Sequence, residues 1–600
     1  MPSIQRRKDI DGLRAIAVMS VVIFHFNPQW LPGGFAGVDI FFVISGYLMT
    51  SIIMNGMDNG NFSFKKFYTS RVKRIIPALI AVVLFTSIIG FVSLDVTSYK
   101  MLGKHMLSSM SFISNYVYAF ESGYFDSDSK SKILLHTWSL SVEWQFYILF
   151  PIFLYLVKNR SNRVVLIYSI FVLSLALSIY QAFNHSKFAY YSLPGRSWQM
   201  MGGAIVYVIN KKLKLNRIGE IFGVVLILLS FIIYNDTMAW PGVNAIVPVV
   251  GAMLVIHSGM NENSFFRNRV IQYIGIISYS IYLVHWPVIV FFRKLNIEVG
   301  LFFYLFIVFT LSLILHHLVE SKVKNINIIL FSYIFMMLIS SSIFYAGAPS
   351  RISSKVDTSY GGHRLFGKAN GKILHLNESS KQDGIIFVGD SYSQQFIDFI
   401  DSEGINATFI SLVSCPILPD YYAKEESGCY SMYEKAINEI NKSKSNTIIL
   451  AHNWERYNDK LISRHGDYVS KSSYNNVILS QINKWRQLIN KDKRMYVIGN
   501  YQHPNYDVVS CMNGNRLPVR HILDGCKNLV DIKSTKLDDL FIENSGDGLA
   551  SYKIINPKDE LCKNGKCMVI HNDKPVYFDG GHLSSDGSKI VGKYLLSKIN

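Results

Sequence analysis

An arginine and a histidine stand inside the first long apolar run of the chain, Arg14 and His25 in RAIAVMSVVIFH. Eleven residues are about three helical turns, so both side chains leave nearly the same helix face, roughly 16 Å apart along the axis. Ionisable groups at membrane depth are costly and face a bundle interior or a wet cavity. Two on one face define a polar route along a helix. Other polar groups sit at the edge or depth of apolar runs: Asp39 in GGFAGVDIFFVISGY, Glu143 in LLHTWSLSVEWQFYILFP, Arg196 in LPGRSWQMMGGA and His285 in SYSIYLVHWP. Arg71 and Arg74, three apart in FKKFYTSRVKRIIPAL, share a helical face. Their guanidinium groups can clamp phosphates with paired hydrogen bonds, or serve only as snorkelling topology anchors. His285, before Trp286-Pro287, reads as structural.

A second set of reactive residues lies near the other end. Ser391 in GIIFVGDS follows a strand-like run and opens a helix-like one. At such a turn its N–H can help stabilise an oxyanion, although serine is also a good helix cap. Asp579 and His582 in DGGHLS place an acid three residues before a histidine, and Asn453 follows the strand-like TIILA, where its amide can donate to an oxyanion. A serine, a histidine base and an aspartate that orients it are the parts of nucleophilic acyl transfer.

These residues need two kinds of scaffold. Six hundred residues exceed one core. Half are apolar and 17% are charged, the balance of a membrane protein. The formal charge of +18 sits largely between apolar runs, which points to lipid headgroups and topology rather than nucleic acid. Eleven runs approach the ~30 Å of a hydrocarbon core: 11–30, 34–54, 75–94, 138–157, 164–183, 197–209, 218–234, 243–258, 274–292, 300–319 and 327–346. The stretch 101–121 is amphipathic, suited to an interface or a re-entrant segment. The first run is interrupted by Arg14 and followed by many others, so it reads as a retained helix rather than a signal peptide. With the N-terminus in the cytosol, the inside segments (6–8, 65–74, 158–163, 211–217, 267–269 and 322–324) hold more than twice the lysines and arginines of the outside ones. An odd number of spans then exports the C-terminus. Arg14 lies toward the cytosolic end of its helix and His25 toward the outer end.

Cysteine usage agrees. None precedes Cys415, and all six (Cys415, Cys429, Cys511, Cys526, Cys562, Cys567) fall in the last third, the pattern of disulfides in an oxidising compartment. Nearest-neighbour pairing closes the shortest loops and is expected; a zinc site is the competing use. Residues 347–381 are polar with scattered glycines and read as a linker or extension. From 382, GIIFVG, NTIILA and RMYVIGN alternate with helix-like SQQFIDFI and NNVILSQINKWRQLIN, an α/β sheet with helices on both faces.

Several of these motifs together carry a resemblance. DIDGLRAIAV with its Arg-x10-His spacing, GGFAGVDIFFVISGYLMT, FYTSRVKRIIPA, HTWSLSVEWQFY and SYSIYLVHWP resemble the acyltransferase-3 membrane family over about residues 5–325. The resemblance implies transfer of an acyl group, commonly acetyl from acetyl-CoA, to an extracytoplasmic glycan, with Arg14 and His25 essential. GDS and DxxHLS resemble the SGNH hydrolase family over about 382–600. This implies Ser391 as nucleophile and His582 as base, with Asp579 its partner and Asn453 an oxyanion donor beside the Ser391 N–H. The family's Gly-x-Asn-Asp block reads Ala451-His452-Asn453-Trp454 here, and Gly404 is the candidate for a second oxyanion glycine.

The fusion resembles bacterial O-antigen acetylases. The expected organisation is a multi-span α-helical membrane domain at 1–326, an additional transmembrane helix at 327–346, a periplasmic linker at 347–381 and a three-layer α/β SGNH-like domain at 382–600. The expected function is O-acetylation of lipopolysaccharide O-antigen at the bacterial inner membrane, with peptidoglycan or another envelope polysaccharide as alternative acceptor. A membrane-anchored esterase and a glycan-lipid transporter are the rival classes. Acetyl-CoA is expected as donor substrate, Arg14, Arg71, Arg74 and Glu143 as donor-binding or membrane-domain groups, and a lipid-linked or polymeric glycan and membrane lipids as partners. No permanently bound cofactor, metal or nucleic acid is expected.

Overall fold

The computed structural model describes residues 7–121, 131–184, 187–209, 217–236, 238–295, 297–349, 363–379, 384–423, 428–458, 460–504, 506, 508–514, 526–546 and 551–599. Arg6, Lys130, Lys211, Lys212 and Lys214 of the loop-charge reading lie outside these residues, as do 350–362 and 380–381 of the expected linker and 382–383 of the expected SGNH-like domain. Two compact units divide the chain, Met1–Pro349 and Ser350–Asn600.

The first unit is helical: α1 (Lys8–Phe26), α2 (Gly37–Asp58), α3 (Phe64–Ser93), α4 (Val96–Met110), α5 (Ser114–Phe120), α6 (Thr137–Leu156), α7 (Arg160–Phe183), α8 (Lys187–Tyr191), α9 (Leu193–Ile209), α10 (Arg217–Ile233), α11 (Ile246–Ser258), α12 (Arg269–Ile276), α13 (Ser278–Lys294), α14 (Leu301–Ile314) and α15 (Ile326–Ala346). Each of the eleven expected runs is mostly helical, the run 274–292 being divided between α12 and α13. Among the described residues, six helices are long and apolar enough to cross a membrane: Gly34–Asp58, Phe64–Ser93, Thr137–Leu156, Arg160–Phe183, Leu301–Glu320 and Ile326–Ala346. Counting α12 and α13 as one span, bent by 69°, gives a seventh. The expected count of eleven exceeds this for local reasons. α1 carries Lys8, Asp9, Asp11 and Arg14, and α11 has only 13 residues. The amphipathic stretch 101–121 forms the end of α4 and α5, and α4 packs on α15.

Sequence chemistry sets these elements. Ser63 caps α3 by accepting from the Lys66 N–H, and Asp95 caps α4 through Thr97 and Ser98. α3 runs for 30 residues, about 45 Å, so its first turns, with Arg71 and Arg74, extend beyond a ~30 Å apolar layer. α2 and α9 cross at glycine: a Cβ on Gly46 would stand 1.8 Å from the Met200 carbonyl oxygen, and one on Gly203 2.0 Å from that of Val43. Across the same contact Arg196 Nη1 meets Asp39 Oδ1 at 2.7 Å, both side chains 1% exposed, and Gln199 donates to the same oxygen. Asp39 and Arg196 therefore pair with each other.

The second unit is built on six strands, β1 (Lys372–Leu376), β2 (Ile385–Gly389), β3 (Ala407–Ser411), β4 (Thr447–Ala451), β5 (Arg494–Ile498) and β6 (Tyr552–Ile555), in the order β1-β3-β2-β4-β5-β6. All pairs are parallel except the antiparallel β1–β3 edge. Alternate residues face two cores. Ile386 and Val388 join Trp485, Ile482 and Met432 on one side; Ile385 and Phe387 join Phe396, Ile400 and Leu595 on the other. β1 lies within the segment expected to be linker; its KILHL alternates too little apolar surface to be recognised alone. Disulfides join Cys415–Cys429, Cys511–Cys526 and Cys562–Cys567, the nearest-neighbour pairing, and so use all six cysteines.

Candidate functional sites

In the helical unit, Arg14 from α1, Arg71 and Arg74 from α3 and Glu143 from α6 line one cavity. Glu143 does not pair an arginine. Its Oε1 instead accepts from the hydroxyls of Ser45 and Tyr147. The buried Nε of Arg14 has no hydrogen-bond partner among the described residues. Among the described residues the Arg71 guanidinium lies 3.3 Å from Ser70 Oγ, 3.8 Å from Met49 Sδ and over the Phe67 ring at 5.9 Å. Glu143 and Glu320 share this wall but form no ion pair with the three arginines among the described residues, and guanidinium groups left without an ion-pair partner can take a bidentate anion such as phosphate. Glu320, also in the wall, accepts from Ser280 (2.7 Å) and bonds His316 Nδ1 (2.9 Å). It ends a π-helical turn, Leu315–Glu320, a distortion frequent at functional sites. The tenth expected run, 300–319, ends one residue short of Glu320, and an acidic residue at the end of an apolar run is the only sign of it in the sequence.

Ser139 and Tyr282 close the same cavity, and their hydroxyls lie 2.6 Å apart. One turn beyond Tyr282 on α13 is His285, whose Nε2 is 2.9 Å from His25 Nδ1. The His25 ring also meets Trp286 edge-on at 4.5 Å. The His25 carbonyl accepts from Arg293 Nη2 at 2.5 Å. Thus the structure brings Arg14, Arg71, Arg74 and Glu143 to one cavity and His25 to its Tyr282 side. His285, set aside as structural, is the hydrogen-bond partner of His25. The sequence-level signal was a second intramembrane histidine; which helix face it shared with His25 was not legible.

In the second unit, Ser391 Oγ lies 2.9 Å from His582 Nε2, and His582 Nδ1 lies 2.7 Å from Asp579 Oδ2. The carboxylate only accepts, so Nδ1 carries the hydrogen and Nε2 presents its lone pair to the serine hydroxyl. Asp579 Oδ1 accepts from the N–H groups of Gly581 (2.7 Å) and His582 (2.6 Å). Burial would raise this carboxyl, but the charge of His582 and these hydrogen bonds hold it below its ordinary value.

Local chemistry builds this turn. A Cβ on Gly389 would lie 1.8 Å from the Ala451 carbonyl oxygen, so only glycine ends β2 here. Asp390 then ties three elements together. Its carboxylate accepts from Tyr392 N (2.8 Å), from Asn453 N (2.9 Å) and from the Tyr457 hydroxyl (2.6 Å). Asn453 thereby stands beside the nucleophile turn, anchored through its backbone. Gly404 does not belong to the site: it follows the helix Ile397–Ser402 in an exposed turn leading into β3, the sheet edge opposite Ser391. At the Ser391 edge the residue with glycine-like backbone is Ser414, φ 58°, three residues beyond the β3 partner of Gly389. A serine gives no sequence signal for that conformation. The segment before β1 also reaches this site. His363 lies 3.0 Å from the Leu583 carbonyl and 3.2 Å from Asp398, and Phe366 meets His582 edge-on at 6.0 Å.

Comparison with known proteins places both units. Residues 7–345 match the acyltransferase domain model, and 361–597 match the model of the SGNH domain fused to such domains. A putative O-acetyltransferase of Staphylococcus aureus is 34% identical over 316 residues, covering 48% of this chain and 52% of that protein. A peptidoglycan O-acetyltransferase of Listeria monocytogenes is 32% identical over 304 residues, 47% of this chain and 49% of that protein. A putative peptidoglycan O-acetyltransferase of Bacillus subtilis is 32% identical, over 47% and 48%. The chain thus spans about half the length of these relatives. Among solved structures, the periplasmic domain of a lipopolysaccharide acetyltransferase from Salmonella ser. Paratyphi A aligns with TM-score 0.29 and 16% identity, over 37% of this chain and 85% of that one. With its helices long and apolar enough to cross a membrane, the chain is a membrane protein that belongs to the acyltransferase-3 family and carries the SGNH domain found fused to it.

Proposed function

We propose that the chain transfers an acetyl group from cytosolic acetyl-CoA to a hydroxyl of an extracytoplasmic envelope glycan. The observation that carries this reading is the convergence of Arg14, Arg71 and Arg74 on one cavity that ends at Tyr282, beside His25. A tethered esterase needs only an anchor and no such cavity. The arginines meet the phosphates of the donor, and His25 acts on the thioester end as base or acyl acceptor. Ser391 Oγ takes the acetyl carbon from the acyl carrier that delivers it, His582 Nε2 taking the hydroxyl proton and giving it to the departing carrier as its bond to the acetyl carbon breaks. His582 then removes the proton of the incoming sugar hydroxyl, which displaces the serine. Transfer rather than hydrolysis requires the glycan hydroxyl to be held where water is excluded. An odd number of membrane segments, with the N-terminus cytosolic and the unit from Ser350 exported, fits the loop charges and the disulfides.

The acceptor favoured is peptidoglycan, because relatives of the chain carry that name. O-antigen is the second reading and rests on resemblance alone. The test is acetyl transfer by the full chain in membranes from isotope-labelled acetyl-CoA, with peptidoglycan fragments and O-antigen offered separately and read by mass spectrometry. Label on the peptidoglycan sugar, lost in both His25→Ala and Ser391→Ala, is the expected result. Undiminished transfer by Ser391→Ala removes the serine from the route, and label on O-antigen alone overturns the acceptor.

A further inference from the structure

We propose that His285 is a positioning residue that fixes the tautomer of His25, so that Nε2 of His25 is the atom that performs its chemistry; this rests on His25 acting in acyl transfer as read above. The reasoning begins at the backbone of α13. His285 Nδ1 lies 2.7 Å from the Tyr282 carbonyl oxygen and 3.2 Å from that of Ile281. A carbonyl only accepts, so Nδ1 of His285 carries the hydrogen, and a neutral ring then has its lone pair on Nε2. That lone pair faces His25 Nδ1 at 2.9 Å. His25 must therefore donate through Nδ1, which places its own lone pair on Nε2. The two ring planes differ by 12° with centroids 5.2 Å apart, so the rings meet edge to edge, with the N–H directed along the acceptor's lone pair.

The arrangement repeats the logic of Asp579 and His582 with different parts. There a carboxylate holds the hydrogen on Nδ1 of the base; here a backbone carbonyl orients one imidazole, which in turn orients the next. The intermediary is itself held. The Tyr304 hydroxyl donates to the His285 carbonyl at 3.0 Å, Trp286 Nε1 donates to the Lys132 carbonyl at 2.8 Å, and Arg293 fixes the His25 backbone from the other side. His285 is fully buried, so no water competes for its Nε2. His25 Nε2 makes no hydrogen bond among the described residues. Its electron pair is available to the proton of an attacking hydroxyl, or to the thioester carbonyl carbon as the C–S pair leaves on sulfur. In both cases the charge that develops on the His25 ring is shared with His285 through Nδ1–H.

The test is acetyl transfer by the full chain, comparing His285→Leu, which removes the acceptor, with His285→Gln, whose amide oxygen reaches the position of Nε2. Positioning predicts a kcat loss of about a hundredfold for Leu and less than about tenfold for Gln, with KM for acetyl-CoA within about twofold in both. Melting temperatures report whether each variant folds. If Leu does not accumulate, His285→Asn replaces it, since its oxygen falls short of the Nε2 position, and the rate of Gln must exceed that of Asn. Wild-type kcat in His285→Leu, or equal inactivity of folded Gln and Leu, overturns the inference. His25→Ala separates the two readings: inactive His25→Ala beside unaffected His285→Leu refutes this inference alone, whereas active His25→Ala refutes the reading beneath it.

Discussion

His452 allows a quantitative test of how the loop beside the nucleophile is held. Its ring is 2% exposed at the carboxyl end of β4, next to Asn453. Nε2 accepts from the Ile417 N–H at 3.2 Å, and the ring lies 4.6 Å from Trp454. Burial pushes its pKa down from 6.5 to about 4, against a smaller opposing effect of Asp390. Because the folded value is the depressed one, the unfolded chain binds a proton between these values that the folded chain refuses. The stability contributed by the neutral ring is complete above pH 6.5 and is lost as pH falls through about 4. The interval is worth about 3 kcal/mol in all, roughly 2 kcal/mol of it between pH 7 and pH 5. Asp579 and Asp398 titrate elsewhere. Burial would raise both, but histidine partners and backbone N–H groups hold them low, so their contribution disappears only below about pH 4. His503, also lowered by burial, acts in the same direction as His452, and a variant is needed to separate them. His452→Gln keeps an acceptor for Ile417 and cannot titrate. Pulse proteolysis of the full chain across a urea series, following a C-terminal tag, reads the stability of this unit at pH 7 and pH 5. The parent is expected to lose about 2 kcal/mol more than His452→Gln on acidification. Equal losses, within about 0.5 kcal/mol, refute the linkage.

Two further outcomes follow from the packing. Arg196→Met strands Asp39 between α2 and α9 and is expected to cost about 3–5 kcal/mol, with a large part recovered in the Arg196→Met/Asp39→Leu double variant; thermal stability in detergent measures both, and additive losses would contradict a buried pair. Ser414 is held at φ 58°, so Ser414→Gly is expected to gain about 0.5 kcal/mol and Ser414→Val to lose about 1 kcal/mol or more in the same proteolysis assay, and the reverse order would show that the turn is not strained.

Much of this protein was legible in its residues because periodicity and side-chain chemistry are local. Apolar runs fixed the helices, since each must bury its backbone polar groups within itself. The late cysteines marked the disulfide-bearing unit, and short intervening loops favoured neighbour pairing. GDS and DxxH exposed the triad because a strand end, a helix start and an acid three residues from a histidine are short-range patterns. The tertiary structure decided what no local pattern carries. The break that bends α12 from α13 by 69° lies inside a run that looks continuous in composition. Strand β1 became a strand only because β3 supplies its hydrogen-bond partners. Glu143 proved to be bonded by hydroxyls from α2 and its own helix rather than by arginine. Above all, the partner of His25 stands 260 residues away. Which face of α13 packs on α1, and so which imidazole meets which, is fixed by long-range packing and by a backbone carbonyl that is present at every residue and visible in none.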